Sequence, residues 1–314
     1  MNKLKGILLT QGMHGMISQA EGLAKALDLD FTHHTVELNH FWKIVPPKLT
    51  PIIQSVYKKI DHNDFDIIIS CGRKSVIPSI HLKSISKKKV INIHIQDPKV
   101  DFNNFDFIVA PEHDSIKGQN VVTTKGAIHY LTETEIAKHN NYLNLFIKKD
   151  DREICALVLG GPTKYYDYSQ KNMENIFSIL NELLKRNNFQ LVVIPSMRTP
   201  KETINHAAKY FGENHTIINN VDKKAYLSAL SVSKNIVVTC DSSSMISEVA
   251  LTGKPIYIAN LLSRKNDKRF QKFKNLFREL NITRNLGEKE ENWNYQKLDE
   301  TNRVAKIIKR KINS

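Results

Sequence analysis

The sequence predicts an α/β protein made of two doubly wound domains, and three observations carry that prediction. Short continuous runs of Ile, Val and Leu recur along the chain. Amphipathic segments at helical spacing separate them. The same alternation occupies both halves of the 314 residues, each about 150 residues long, an ordinary domain size.

In the first half the apolar runs are GILLT (Gly6 to Thr10), FDIIIS (Phe65 to Ser70), VINIHI (Val90 to Ile95) and FDFIVA (Phe105 to Ala110). In the second they are CALVLG (Cys155 to Gly160), QLVVIP (Gln190 to Pro195), NIVVT (Asn235 to Thr239) and PIYIAN (Pro255 to Asn260). Unbroken apolar runs of this length suit strands covered on both faces, as in a parallel sheet. Between them, Met16, Ile17, Ala20, Leu23, Ala24 and Leu27 fall on one helical face, as do Ile176, Phe177, Leu180, Leu183 and Leu184. The charged stretch KKDDR (Lys148 to Arg152) marks the seam. The expected division is a Rossmann-like domain over 1–149 and a second over 150–314, with the last helix free to cross the seam. Doubly wound domains bind ligands at the carboxyl ends of their strands, so the two are expected to face a shared cleft.

Bulk composition excludes several classes. With 41% hydrophobic and 25% charged residues the chain is an ordinary globular one. No stretch approaches the roughly 20 apolar residues of a membrane span, and the first apolar run is broken at once by QGMHG, so it reads as a strand and not a signal peptide. Cys71, Cys155 and Cys240 have no metal-ligand spacing and fit a reducing compartment. The expected location is the cytoplasm, with peripheral contact to a membrane. The net charge of +14 invites a nucleic-acid partner. However, the lysines are spread along the whole chain with no nucleic-acid signature, so nucleic acid is not expected. Anionic lipid or a phosphate-bearing ligand accounts for the charge equally well. The terminal KIIKRKINS reads either as a solvated helix face or as a membrane contact.

The residues just after each strand carry the chemistry. After the first, Gly12 and Gly15 flank His14 at a helix entrance, where the helix dipole disfavours imidazolium. His14 is therefore a candidate general base, or else a helix-end histidine facing solvent. After the second, Gly72, Arg73, Lys74 and Ser75 form either an anion site at free helix amides or a capped helix with a solvated cation pair. Gln96 and Asp97 follow the third strand, and His113 and Asp114 the fourth. His94, alternating within a strand, reads as core.

In the second half Gly160 and Gly161 read as opening a helix, with their backbone amides offered to phosphate. Ser196, Arg198 and Thr199 follow the next strand, where an arginine on a tight loop suits phosphate or carboxylate. Asp241, Ser242 and Ser243 then cap a helix whose amides face an anion. At about 100° per residue, Ser244, Met245 and Glu248 share one face of that helix, away from the packed face of Ile246, Val249 and Ala250. Glu248 alternatively is a solvated acid paired with Lys254. No aspartate pair suits a metal, since Asp64 and Asp66 precede their strand. NHFWKIVPPKL (Asn39 to Leu49) is the best candidate for a hydrophobic docking loop, or else it packs on its own domain.

The glycine-His-glycine loop and the two-half layout resemble glycosyltransferases of the GT-B architecture. DSSSMISEVALTGKPIYI looks like their nucleotide-sugar segment. More closely, GRKSVIPS, QDPKVDFNNFDFIVAPEHD, GGPTKYY, PSMRTP and VVTCDSSSMISEVALTGKPIY are similar to the mitochondrial-fission Elm family, over roughly Lys5 to Asn260. The resemblance implies a metal-independent, inverting transferase with a nucleotide-sugar as donor substrate and no further cofactor. Gly160, Gly161, Ser196, Arg198, Thr199, Ser242, Ser243 and Glu248 would hold the donor. Gly12, Gly15, Arg73, Lys74, Gln96 and Asp97 would line the acceptor side, with His14 as base and a lipid-linked acceptor or anionic membrane surface nearby. Plant members of the family are implicated in fission through a dynamin-related partner, which implies a second reading as a non-catalytic adaptor. A nucleotide-sugar epimerase is a third.

Overall fold

Every strand in the computed structural model, which describes residues 3–61, 64–289 and 292–312, runs parallel to its sheet neighbours. The strands form two sheets of six. The chain divides into two compact units, Met1–Tyr130 with Asp299–Ser314, and Leu131–Leu298.

The first unit contains β1 (Lys5–Thr10), α1 (His14–Ala26), β2 (Asp30–Thr35), β3 (Ile67–Cys71), α2 (Val76–Ile85), β4 (Ile91–Ile95), β5 (Phe107–Pro111) and β6 (Val121–Thr124). The sheet order is β2-β1-β3-β4-β5-β6. Period-two alternation splits its strands between two faces. Leu8, Ile67, Ile69, Ile93 and Ile95 pack toward Ala20, Leu23 and Ala24 of α1. Ile7, Leu9, Ile68 and Ile108 pack toward Val76, Ile77 and Ile80 of α2. Burying each such aliphatic side chain contributes about 1.5–3 kcal/mol, so the three-layer stack follows from β-strands that are apolar on both sides.

The second unit contains α3 (Glu133–Ala137), β7 (Ile154–Leu159), α4 (Gln170–Asn187), β8 (Gln190–Pro195), α5 (Lys201–Phe211), β9 (Thr216–Ile217), α6 (Lys223–Val232), β10 (Asn235–Thr239), α7 (Ser243–Ala250), β11 (Ile256–Ala259), α8 (Lys268–Glu279) and β12 (Thr283–Asn285). Read from the β9 edge, the order is β9-β8-β7-β10-β11-β12. The chain builds outward from β7 on one side, then returns to β10 and builds outward on the other. That is the 3-2-1-4-5-6 order of dinucleotide-binding folds, whose crevice lies where the winding reverses. Here it is the β7/β10 boundary. Helix α4 buries Met173, Ile176, Phe177, Leu180, Leu183 and Leu184, the stripe its sequence spacing predicts, and ends at Asn188 in the left-handed conformation (φ 51°).

The last helix, α9 (Glu300–Ile312), belongs to the first unit. Val304, Ala305 and Ile308 join the cluster that contains α1. Its start is fixed by Glu300, which accepts from the Lys125 amide at 2.8 Å. Thr301 Oγ1 accepts from the His129 amide and donates to the His129 carbonyl, both at 2.9 Å. Of KIIKRKINS, Lys306, Lys309 and Arg310 are exposed and Ile308 is core. Its last two residues lie outside the described residues. Among the described residues, no helix is long and apolar enough to cross a membrane.

Candidate functional site

At the β7/β10 boundary two loops are tied together by a buried carboxylate. Asp241, its side chain fully covered, follows β10 and accepts three hydrogen bonds. The Gly161 amide donates at 3.1 Å, Arg198 Nη2 at 2.8 Å and the Tyr168 hydroxyl at 2.6 Å. Beside it the Gly160 amide donates to Thr239 Oγ1 at 2.8 Å. A buried carboxylate is tolerated only when its lone pairs are satisfied in this way. Both glycines are demanded by closeness and not by dihedral angle. A Cβ on Gly160 would lie 2.2 Å from Asp241 Oδ2, and one on Gly161 2.1 Å from the Arg198 carbonyl oxygen. Burial and the Asp241 charge together push the Tyr168 phenol well above its ordinary range.

The loop after β8 closes on the same point. Arg198 Nη1 donates to the Gly161 carbonyl at 3.0 Å. Ser196 Oγ donates to the Gly160 carbonyl at 3.0 Å, and Thr199 Oγ1 to it at 2.6 Å. Gly160, Gly161, Ser196, Arg198 and Thr199 are brought together, but no helix opens at the glycines, since α4 begins only at Gln170, and the glycine amides are already donated to Thr239 and Asp241. These residues lock the loops after β7 and β8 to Asp241 at the point where the winding reverses.

What remains for a ligand lies at α7. Ser242 is its cap, accepting from the Met245 amide at 3.3 Å. The expectation that Asp241 shares in capping is corrected, because its side chain is taken by Gly161, Arg198 and Tyr168. The amides of Ser243 and Ser244, at the first two helical positions, have no intrahelical acceptor. Further along α7, Glu248 accepts from the Tyr226 hydroxyl of α6 at 2.9 Å. Lys254 does not pair with it in the way the sequence allowed; its Nζ donates to the Ser231 carbonyl. The Glu248 residue keeps partial surface exposure, but enough protein surrounds the carboxyl that desolvation raises it to about 7. A carboxyl near neutrality beside open helix amides is suited to a ligand carrying both hydroxyls and negative charge.

In the first unit the winding reverses between β1 and β3, and the loops after those strands meet. Gly72 sits at φ 89°, where L side chains are rare, and a Cβ there would lie 2.5 Å from the Gln11 side chain and 2.6 Å from Met16 Sδ. With its amide turned to satisfy both ends, the Gln11 side-chain oxygen accepts from the Arg73 and Lys74 amides at 2.6 and 3.2 Å. The helix amides expected to await an anion are thus held by a neutral side chain. The Arg73 guanidinium donates to the Val45 carbonyl at 2.7 Å. Ser75, expected as a cap, instead donates back to the Gly72 carbonyl at 2.7 Å.

Gly12, at φ 80°, turns the chain into α1. There His14 is the exposed first residue, its ring edge-on to Tyr130 with centroids 6.2 Å apart. Gly15 follows it in the first turn, its carbonyl accepting from Gln19 Nε2 at 3.1 Å. Gln96 closes β4 at φ 85°, a strained angle for its type, and Asp97 folds back on the Lys99 amide at 2.9 Å. His94 is core: its Nδ1 bonds Ser70 Oγ at 2.8 Å, and burial lowers its pKa to about 3. The three cysteines are buried; desolvation raises Cys155 to about 12 and Cys71 higher still. Among the described residues, no three His, Cys, Asp or Glu side chains are grouped to hold a metal ion.

Sequence reasoning missed Tyr168, Tyr226 and Gln11 as partners. Tyr168 had a faint signal in the run YYDY; the others had none.

The geometry can be set against known proteins. A family model described as mitochondrial fission ELM1 matches residues 14–312. The mitochondrial fission protein ELM1 of Arabidopsis thaliana is 24% identical over 280 residues, covering 78% of this chain; the match spans 64% of the plant protein's length. Among solved structures, the glycotransferase of kitacinnamycin superposes with a TM-score of 0.56 at 11% identity, covering 99% of each chain. The UDP-GlcNAc 2-epimerase of Neisseria meningitidis, bound to UDP-GlcNAc, gives 0.54 at 13% identity, covering 98% of this chain and 99% of that one. Likeness at these identities establishes the fold, the GT-B arrangement of glycosyltransferases and epimerases.

Proposed function

The chain belongs to the mitochondrial fission ELM1 family, and from that premise we propose that its second unit binds a nucleoside-diphosphate-sugar whose sugar is transferred, with inversion, to an acceptor. One observation carries this reading: in a sheet of dinucleotide-binding order, α7 follows β10 at the winding reversal and bears both open amides and Glu248. The Ser243 and Ser244 amides, with the serine hydroxyls, would take the diphosphate, and Glu248 the ribose hydroxyls. Gly160, Gly161, Ser196, Thr199 and an Arg198 pre-positioned by Asp241 would form the wall behind them. An acceptor hydroxyl attacks the anomeric carbon and gives its proton to His14. The bond to the diphosphate oxygen breaks, and the nucleoside diphosphate leaves with the electron pair, its charge met by the α7 amides. The acceptor side comprises Gly12, Gly15, Arg73, Lys74, Gln96 and Asp97. A lipid-linked acceptor would bring the chain to a membrane surface as a peripheral protein.

The solved epimerase makes UDP and its sugars the first ligands to test. It also keeps epimerisation as a neighbouring chemistry at the same nucleotide site, told apart by whether sugar transfer or a C2-inverted sugar is the product. A second reading, an adaptor for a protein partner, draws on the way Asp241 and Gln11 already satisfy the loop donors.

Calorimetric titration with UDP, ADP, GDP and UDP-sugars tests the proposal. One nucleotide is expected to saturate, and Glu248→Gln to weaken it on the order of tenfold. Hydroxyls donate to the carboxylate form, and Glu248 is protonated below about 7 in the empty protein. Affinity should therefore fall about tenfold from about pH 8 to about pH 6, and the Gln variant should lose that component. Absence of binding across the panel by folded protein would favour the adaptor.

A further inference from the structure

Residues 39–56, between β2 and β3, make a closed surface loop whose base and tip differ in chemistry. The base is locked. Leu38 and Tyr57 form an antiparallel bridge, the Asn39 amide donates to the Val56 carbonyl at 3.0 Å, and Asn39 Nδ2 donates to the Ser55 carbonyl at 2.7 Å. Leu38, Val56 and Tyr57 are buried in the first unit's core. Arg73 donates to the Val45 carbonyl and fixes the middle of the loop.

The tip is apolar and bare. Phe41, Ile44, Leu49, Ile52 and Ile53 are 64%, 77%, 71%, 42% and 48% exposed. They are five of the fourteen exposed large apolar side chains among the described residues, gathered in 13 successive positions. Single exposed apolar residues are ordinary, but a cluster of this density is not. The same loop has no Asp or Glu between Glu37 and Asp61, while exposed Lys43 and Lys48 alternate with the apolar residues.

We propose that this loop docks the first unit on an anionic lipid bilayer, the five apolar side chains entering the headgroup boundary and the two lysines meeting lipid phosphates. Charge selects the occupant. A second copy in a symmetric contact would set Lys43 and Lys48 against their own counterparts, whereas an anionic bilayer offers both hydrocarbon and negative charge. The loop follows β2 at the carboxyl edge of the sheet, the edge that also carries His14. This deepens the proposed transfer reaction and rests on it for its purpose, since a lipid-linked acceptor would be met at that edge. The docking itself is read out with no nucleotide present.

The test is co-sedimentation of the full chain with vesicles of phosphatidylcholine alone or mixed with phosphatidylglycerol. The wild type should bind the mixed vesicles and little of the neutral ones. Ile44→Ser with Leu49→Ser should weaken binding on the order of a hundredfold, and Lys43→Gln with Lys48→Gln on the order of tenfold or more. All substituted side chains are exposed, so melting temperatures should match the wild type, and nucleotide titration should be unchanged in each variant. Failure of the wild type to bind mixed vesicles overturns the proposal. So does equal binding by the Ile44/Leu49 variant, which would move the contact to another basic surface such as α9. Loop-dependent self-association in light scattering without vesicle binding would assign the patch to a protein contact instead.

Discussion

Gly161→Ala is expected to cost about 3 kcal/mol of stability, read as a lowered urea midpoint with an unchanged slope. The added Cβ would lie 2.1 Å from the Arg198 carbonyl oxygen and 2.4 Å from Arg198 Cβ, well inside contact distance. Neither side can retreat cheaply. Arg198 is held by Asp241, and the neighbouring Thr199 hydroxyl is bonded to the Leu159 and Gly160 carbonyls. Gly118→Ala is the useful contrast, because its backbone lies outside the left-handed region and its Cβ would approach only side chains, 3.1 Å from Val121 Cγ2 and 3.2 Å from Phe102 Cδ2, a cost of about 1 kcal/mol. Equal losses in the two variants would mean the loops after β7 and β8 are not locked as described.

His14→Ala should lower the rate of sugar transfer by about 10²–10⁴-fold while leaving nucleotide affinity unchanged. His14 is exposed at the first position of α1, so its removal should alter stability by no more than about 0.5 kcal/mol. The split separates roles: a base loses turnover alone, whereas a helix-end residue loses only a little stability. Full activity in His14→Ala would remove it from the chemistry and direct attention to Asp97 or the loop after β5.

The sheets were legible in the sequence where strands have neighbours on both sides, and not where they do not. The eight apolar runs correspond to β1, β3, β4, β5, β7, β8, β10 and β11, all interior. The four strands without such runs, β2, β6, β9 and β12, are the four sheet edges. An edge strand meets solvent along one side, so DFTHHT in β2 carries a polar, alternating pattern that reads as a loop. The positions of the site loops were legible for the same reason, since each follows an interior strand. Their internal bonding was not. Asp241 lies 80 positions from the Gly161 amide it accepts from, and Gln11 lies far from the Arg73 and Lys74 amides it caps. Nothing in local spacing tells a side chain aimed at a ligand from one aimed at a neighbouring loop. Glu248 shows the limit from the other side: helical periodicity turned it away from Ile246 and Val249, but its partner Tyr226 comes from a different helix.

The most direct test of the nucleotide site is amide NMR of isotopically labelled protein during titration with UDP. Binding at α7 predicts the largest shifts at Ser242, Ser243, Ser244 and Met245, with smaller ones at Gly160, Gly161 and Arg198. Saturable shifts confined to other residues, or none at all, would contradict it.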